Sequence, residues 1–428
     1  MTRLWHSQAL MPAVKRDELV LERGEGAYVW DESGRKLLDV PASLWYCNVG
    51  HGRAEIADAV AAQMRRLEAY STFQRYATRP AIELAERLSS LVPIEDPKTF
   101  FTSGGGEAVD AAAKLARRYW DAVGKPEKRA LVSREAGYHG LHGFGTSITG
   151  IESNREGLGP LMPETLRVPE NDAAALAALF EERAGEIAAF FCEPVIGTGG
   201  VIPPAAGYLQ AAQRLCREHD VLWVVDEVIT GFGRTGELFA SDRFGLDPDL
   251  MLLAKGITSG YLPLGATVVS ERVWEPFWAD RSDLVFRHGI TYSGHASVCA
   301  AAHANLDILE REGLVEQVRR LEAVLHETVQ AVAGHDLVAE VRSGEIGLLA
   351  GIQLHHQATA EAVAGACIDN GLLMRAIGNA TLQISPPFVV DDSDLALLGE
   401  VLRAALDAES EKGNGPQRGG GAHATGHA

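Results

Sequence analysis

Cysteine is scarce in this chain of 428 residues: Cys47, Cys192, Cys216, Cys299 and Cys367 are all there are, and no two have a paired or metal-type spacing. That excludes a disulfide framework, and reduced, mostly buried thiols are expected. Positive charge is also short. Lys and Arg number 39 against 58 Asp and Glu, a net charge of −19, whereas nucleic acid or an anionic membrane as main partner would call for a basic face. Apolar runs are brief, and none approaches the ~20 residues of a membrane span. Residues 1–15 lack the charged, apolar and small-residue order of a signal peptide, so a cytoplasmic location is expected. Glycine, in contrast, is abundant, and its clusters mark the segments that carry chemistry.

Length and composition suit an ordinary globular protein with room for two domains. Residues 19–40 alternate apolar and polar positions around Gly24, Gly26 and Gly34, the pattern of a small antiparallel meander. Ile56, Val60, Met64 and Leu67 recur at helical spacing, and Pro80 opens a second helix. Strand-like runs then follow at 98–102, 129–133, 188–192, 221–225, 250–254 and 266–270. Ala-rich helical segments at 106–121, 173–184 and 209–219 separate several of them. Such alternation predicts an α/β fold with a mostly parallel sheet covered on both faces. Beyond two further helices the texture becomes α+β, with short strands at 337–341, 346–354, 372–375 and 381–385 and helices at 359–369 and 393–407. The expected division is an N-terminal segment 1–60 belonging to a small domain and sharing its sheet, a large domain 61–305, the rest of the small domain at 306–408, and a disordered Gly-rich tail 409–428. His423 and His427 in that tail are read as solvated, and no metal site is expected.

The chain is organised around 221–256. Val221-Leu-Trp-Val-Val225 runs into Asp226-Glu227, and Leu250-Met-Leu-Leu-Ala254 runs into Lys255. Two parallel strands would deliver a carboxylate and an amine to one edge of the sheet, where open α/β sheets bind ligands. A carboxylate ending an apolar strand must be paired, and a protonated pyridine nitrogen is one fitting partner. Burial frees a lysine amine for a Schiff base. Pyridoxal 5′-phosphate (PLP) has the basic ring nitrogen and the electrophilic carbonyl that such a pair suits. Glu227 points the other way and reads as structural, while Val228 shares the face of Asp226.

Five further segments fit. Ser103-Gly104-Gly105-Gly106-Glu107 joins a strand to a helix and lets backbone N–H groups approach a phosphate, although a plain tight turn has the same appearance. Tyr138, between Gly137 and His139-Gly140, offers a ring for stacking or for packing. Glu193 before Pro194 is either a site carboxylate or a cap. Thr291 precedes a helix, and Arg375 ends a strand, where an arginine is either a rim charge or a fork for a carboxylate substrate.

Together these residues resemble the class III PLP-dependent aminotransferases of fold type I, most closely the ω-transaminases. The resemblance runs from Leu44-Trp45-Tyr46-Cys-Asn-Val-Gly-His-Gly52 to Ser385-Pro-Pro-Phe388, and the run Asp226-Glu-Val-Ile-Thr-Gly-Phe-Gly-Arg-Thr-Gly236 with Leu253-Ala-Lys255-Gly is its most specific part. It implies a seven-stranded sheet in the large domain. Lys255 becomes the Schiff-base lysine and Asp226 the pyridinium partner, with Val228 and Tyr138 flanking the ring. Gly105 and Gly106 hold the phosphate, and Glu193 is a motif carboxylate of open role. Trp45 is implied as the aromatic wall of the substrate pocket, and Arg375 as a mobile arginine for the substrate carboxylate. The family works as a homodimer with sites at the interface, in some cases a dimer of dimers, so Thr291 is expected to reach the neighbour's phosphate. The implied reaction moves an amino group from a primary amine or ω-amino acid to a keto acid such as pyruvate. The biotin-pathway diaminopelargonate transaminase and a PLP-binding protein without turnover are the alternatives. One departure stands out: the family usually has Ser-Gly-Ser where this chain has Gly104-Gly105-Gly106. A hydroxyl donor is missing, a loss of roughly 1.5–3 kcal/mol for a bond to a charged group, which predicts looser cofactor retention.

Overall fold

The computed structural model describes residues 3–280 and 283–414. Near the N-terminus, β1 (Leu21–Glu25), β2 (Tyr28–Asp31) and β3 (Lys36–Asp39) form the expected antiparallel meander. Its tight turn is held by Asp31 Oδ1, which accepts from the backbone N–H groups of Ser33 and Arg35 at 3.0 and 2.9 Å, the local bonding that suits aspartate to turns.

The central sheet has seven strands: β4 (Lys98–Thr102), β5 (Ala130–Arg134), β6 (Thr165–Val168), β7 (Ile187–Cys192), β8 (Leu222–Asp226), β9 (Leu250–Leu253) and β10 (Gly265–Val269). Their order is β4-β10-β9-β8-β7-β5-β6. Only β10 runs against its neighbours, and the other pairings are parallel. Strands β7, β8 and β9 are buried along their whole length because helices cover both faces. Phe191, Leu222 and Val224 pack against Val109, Ala112 and Ala116 of the helix Gly105–Ala122. Phe190, Trp223 and Val225 pack against the helices Ala173–Arg183 and Tyr208–Glu218 on the other side. The period-2 alternation of side chains across a sheet makes both sets necessary, which is why these strands read as unbroken apolar runs. Strand β6 was not foreseen. It lies at the sheet edge, only Val168 is fully buried, and its residues carry little apolar signal.

Towards the C-terminus come β11 (Val338–Arg342), β12 (Ala350–Leu354), β13 (Leu372–Leu373), β14 (Arg375–Ile377) and β15 (Thr381–Ile384). They do not form one sheet with the meander, as expected from sequence, but divide. Two-residue β13 joins β3 in parallel, giving β1-β2-β3-β13, whereas the others form β11-β12-β15-β14. The chain changes sheet at Met374, which is buried between them. The helices Leu314–Gln330, Gln357–Asp369 and Asp392–Asn414 lay Leu321, Leu325, Val363 and Leu398 against Ile352 and Leu382. The last helix continues through 409–414, so the expected tail begins too early: Glu409 and Lys412, one turn apart, pair at 3.0 Å. His423 and His427 lie outside the described residues. Among those described, no helix is long and apolar enough to cross a membrane.

Candidate active site

Strands β4, β5, β7, β8 and β9 all point the same way, and the segments leaving their C-terminal ends meet in a cleft of about 660 Å³. Trp45, Gly105, Gly106, Tyr138, Glu193, Asp226, Val228, Lys255 and Arg375 all line it. Of the residues singled out from sequence, Thr291 alone is elsewhere. It is exposed, on a segment fixed by a 2.7 Å bond from Ser293 Oγ to the Phe101 carbonyl.

Lys255 follows extended Ala254 and turns with φ +48° into the short 3-10 segment Lys255–Ile257. A left-handed conformation costs a residue with a Cβ about 1–2 kcal/mol, so something must hold it. Asn305 does, with its side-chain amide donating to the carbonyls of Gly256 and Ile257 at 2.9 and 3.1 Å. The amine has no hydrogen-bond partner among the described residues. Burial, with Arg375 adding to it, pulls Lys255 down to about 8 against the opposing pull of Asp226 and Glu193.

Asp226 is buried and takes a 2.8 Å hydrogen bond at Oδ2 from His139 Nδ1 and a 3.1 Å one at Oδ1 from the Val228 N–H. A carboxylate has about four acceptor positions, so two remain for a ligand. His139 was missed from sequence. Its signal was its place beside Tyr138 between two glycines, where only the aromatic was weighed. Glu227 is structural as expected: it accepts from Thr230 Oγ1 at 2.5 Å and from the N–H groups of Ala240 and Ser241 at 3.0 and 2.6 Å, bracing the loop after β8. Burial raises its pKa.

Glu193 was left between a site carboxylate and a cap. It faces the cleft, and its two oxygens accept from the N–H groups of Tyr138 and Gly197 at 2.9 and 3.0 Å, fixing the aromatic loop. Burial raises its pKa too. Arg375, on β14, has a buried Nη1 without a partner, and burial lowers its pKa. Trp45 sits at φ +70°, after Ala42 at +45° and Ser43 at +57°. Asp39 stabilises this strained bend by accepting from the Ser43 N–H at 2.8 Å, and is itself held by His51 Nε2 at 2.8 Å. Cys47 joins the pair within 4.8 Å, a convergence that spacing did not reveal, but burial pushes its thiol up and away from thiolate. Thr198, Asn154 and Gln357 also line the cleft and were not foreseen, since they sit in a turn, at the end of a 3-10 segment and at a helix start, with no motif of their own.

At the far end, Gly105 and Gly106 open the helix Gly105–Ala122. A Cβ on Gly105 would stand 3.0 Å from Val228 Cγ1, so the turn and the β8 loop touch only because that side chain is absent. The cleft therefore offers an unpartnered amine, a buried carboxylate with free acceptor positions, and the unshielded N–H groups of a helix start. Those are the donors and acceptors that an aldehyde, a ring nitrogen and a phosphate require, so the residues fit PLP. Fold and cleft together define a PLP enzyme of fold type I.

Comparison with known proteins agrees. The chain belongs to the family described as Aminotransferase class-III, matched over residues 11–406. It is 36% identical to a putrescine–pyruvate aminotransferase of Pseudomonas aeruginosa, over 91% of this chain and 90% of that one. It is 39% identical to an adenosylmethionine-8-amino-7-oxononanoate aminotransferase of Anoxybacillus flavithermus, over 82% and 81%. The crystal structure of the omega transaminase of Pseudomonas jessenii, in complex with PMP, superposes with a TM-score of 0.92 at 33% identity, covering 96% of this chain and 98% of that one. The protein is thus a PLP-dependent aminotransferase.

Proposed function

We propose that this aminotransferase takes its amino group from an uncharged primary amine end, in a diamine or an ω-amino acid, and gives it to pyruvate. Bound PLP supplies an aldehyde that captures the amine and a ring that accepts electrons. Lys255 would hold that aldehyde through its Nζ. Its Nζ then takes the proton from the amine-bearing carbon of the donor, and in the second half-reaction delivers one to the keto carbon of the acceptor. Asp226, oriented by His139, keeps the proton on the ring nitrogen. Val228 and Tyr138 flank the ring, Gly105 and Gly106 give N–H groups to the phosphate, and Glu193 holds Tyr138 in place. Trp45 closes the amine pocket. The large unit 61–305 carries the cofactor, and 306–408 with 1–60 brings Arg375 and Trp45 over it.

The observation that carries the choice of acceptor is the buried, unpartnered Nη1 of Arg375 facing the cleft. A buried guanidinium without a partner is costly, and an α-keto acid provides a two-oxygen one. The putrescine–pyruvate relative supports this over the diaminopelargonate reading. In Arg375→Ala, KM for pyruvate rises about 10- to 100-fold, the equivalent of one charged hydrogen-bond pair. Conversion of the cofactor by putrescine, followed spectroscopically without a keto acid, stays within about twofold. An unchanged KM for pyruvate would overturn the assignment of the acceptor site.

Exposed Tyr70, Phe73, Tyr76 and Tyr292 form an aromatic surface unusual for a monomer. We place it in a homodimer interface that brings Thr291 of a second copy to the phosphate. Light scattering at micromolar concentration gives twice 45.9 kDa on this view; a monomer mass refutes it.

A further inference from the structure

The missing hydroxyl of the Gly104-Gly105-Gly106 turn has a counterpart 36 residues along the chain. A Cβ built on Gly106 meets the imidazole of His142, with Cδ2 at 3.1 Å and Cγ and Nε2 at 3.3 Å. The ring thus lies in tight contact with the position a serine Cβ at 106 would take, and it turns a nitrogen-bearing edge towards the helix start. No hydrogen bond engages its ring nitrogens among the described residues. Its position is fixed by two neighbours. Gly140, at φ +79°, lets its loop lie so close that a Cβ there would come within 2.8 Å of Gly106 Cα. On the far side, Asp110 of the helix Gly105–Ala122 accepts from the N–H groups of Phe144 and Gly145 at 2.9 and 3.3 Å. Gly106, Gly140 and Leu141 line the cofactor cleft; His142 itself is exposed just outside that lining, its ring against the start of the helix Gly105–Ala122.

We infer that His142 is a phosphate-binding residue of the cofactor site, its imidazole N–H replacing the hydroxyl that a serine at 106 would supply. The inference rests on the PLP reading above and deepens it. The glycine triplet is then not a weakened cup but one half of an exchange: a side chain is removed at 106 and a longer donor arrives from 142. A neutral or a protonated imidazole serves, since each has an N–H to give. This replaces the expectation of loose retention.

The test compares PLP with pyridoxal, which has the same aldehyde and ring but no phosphate. Apoenzyme is titrated with each, reading the absorbance change on capture by Lys255. His142→Ala is expected to weaken PLP at least tenfold and pyridoxal less than twofold. Gly106→Ser alone, crowded by the ring, tightens PLP by no more than twofold, and Gly106→Ser/His142→Ala returns its affinity to within about threefold of wild type. Equal affinity for PLP in His142→Ala and wild type overturns the inference. So does an equal loss for PLP and pyridoxal, which marks a structural role, and so does a double variant that recovers nothing. Failure of the wild-type apoenzyme to capture either compound would fall on the PLP site itself.

Discussion

Lys255→Ala loses turnover by about 10⁴-fold, because the group that captures the cofactor and the group that moves the proton are the same amine. The variant remains folded. Alanine keeps a Cβ at φ +48°, so the strain of the turn is unchanged, and the Asn305 clamp on the next two carbonyls does not involve the side chain. Borohydride fixes PLP to the wild type, detected as a mass increase on the peptide containing Lys255, and leaves no such adduct on the variant. A second readout follows from the lowered pKa. Only the neutral amine attacks an aldehyde, so the rate at which wild-type apoenzyme captures PLP rises with pH and levels off above about 8. A plateau delayed to the ordinary lysine range near 10.5, or an adduct surviving in Lys255→Ala, removes Lys255 from its assigned role.

Asp226→Asn lowers kcat by about 10²- to 10³-fold, the loss found when a group aimed at developing charge is taken away. Asparagine is nearly isosteric and can still accept from the Val228 N–H, so the end of β8 holds its shape. What disappears is the charge opposite the ring nitrogen. PLP binding is expected to fall much less than kcat, since the aldehyde and phosphate ends keep their partners. Thermal unfolding of the apoenzyme should move by a few degrees at most. A kcat within tenfold of wild type means that Asp226 does not serve the ring.

The parts of this protein that were legible in its sequence are those where one physical demand dominates. Strands β7, β8 and β9, buried on both faces, showed as uninterrupted apolar runs; Asp226 and Lys255 stood out at the ends of two of them, while Glu193 at the end of the third was left between a site group and a cap, and all three line the cleft. Edge strand β6, with little to bury, gave no signal. The division of the small sheets was equally hidden, because it turns on where the backbone switches partners at Met374, and both halves of that stretch look alike as sequence. Within the site, His139 and His142 were overlooked for a common reason. Each acts through a contact made across the fold, with Asp226 and with Gly106, and nothing local to 139 or 142 announces it. The absent hydroxyl at 104–106 was visible at once, whereas the imidazole in its place could be found only in three dimensions.

Strand β10 carries one more implication. Among the described residues it is the sole sheet neighbour of β4, and it lies about 165 residues further along the chain. During synthesis on the ribosome, the turn that receives the phosphate therefore has no anchor beside the lysine until residue 269 has emerged and doubled back between two older strands. The glycine turn and Lys255 are thus set side by side only once β10 has taken its place between β4 and β9.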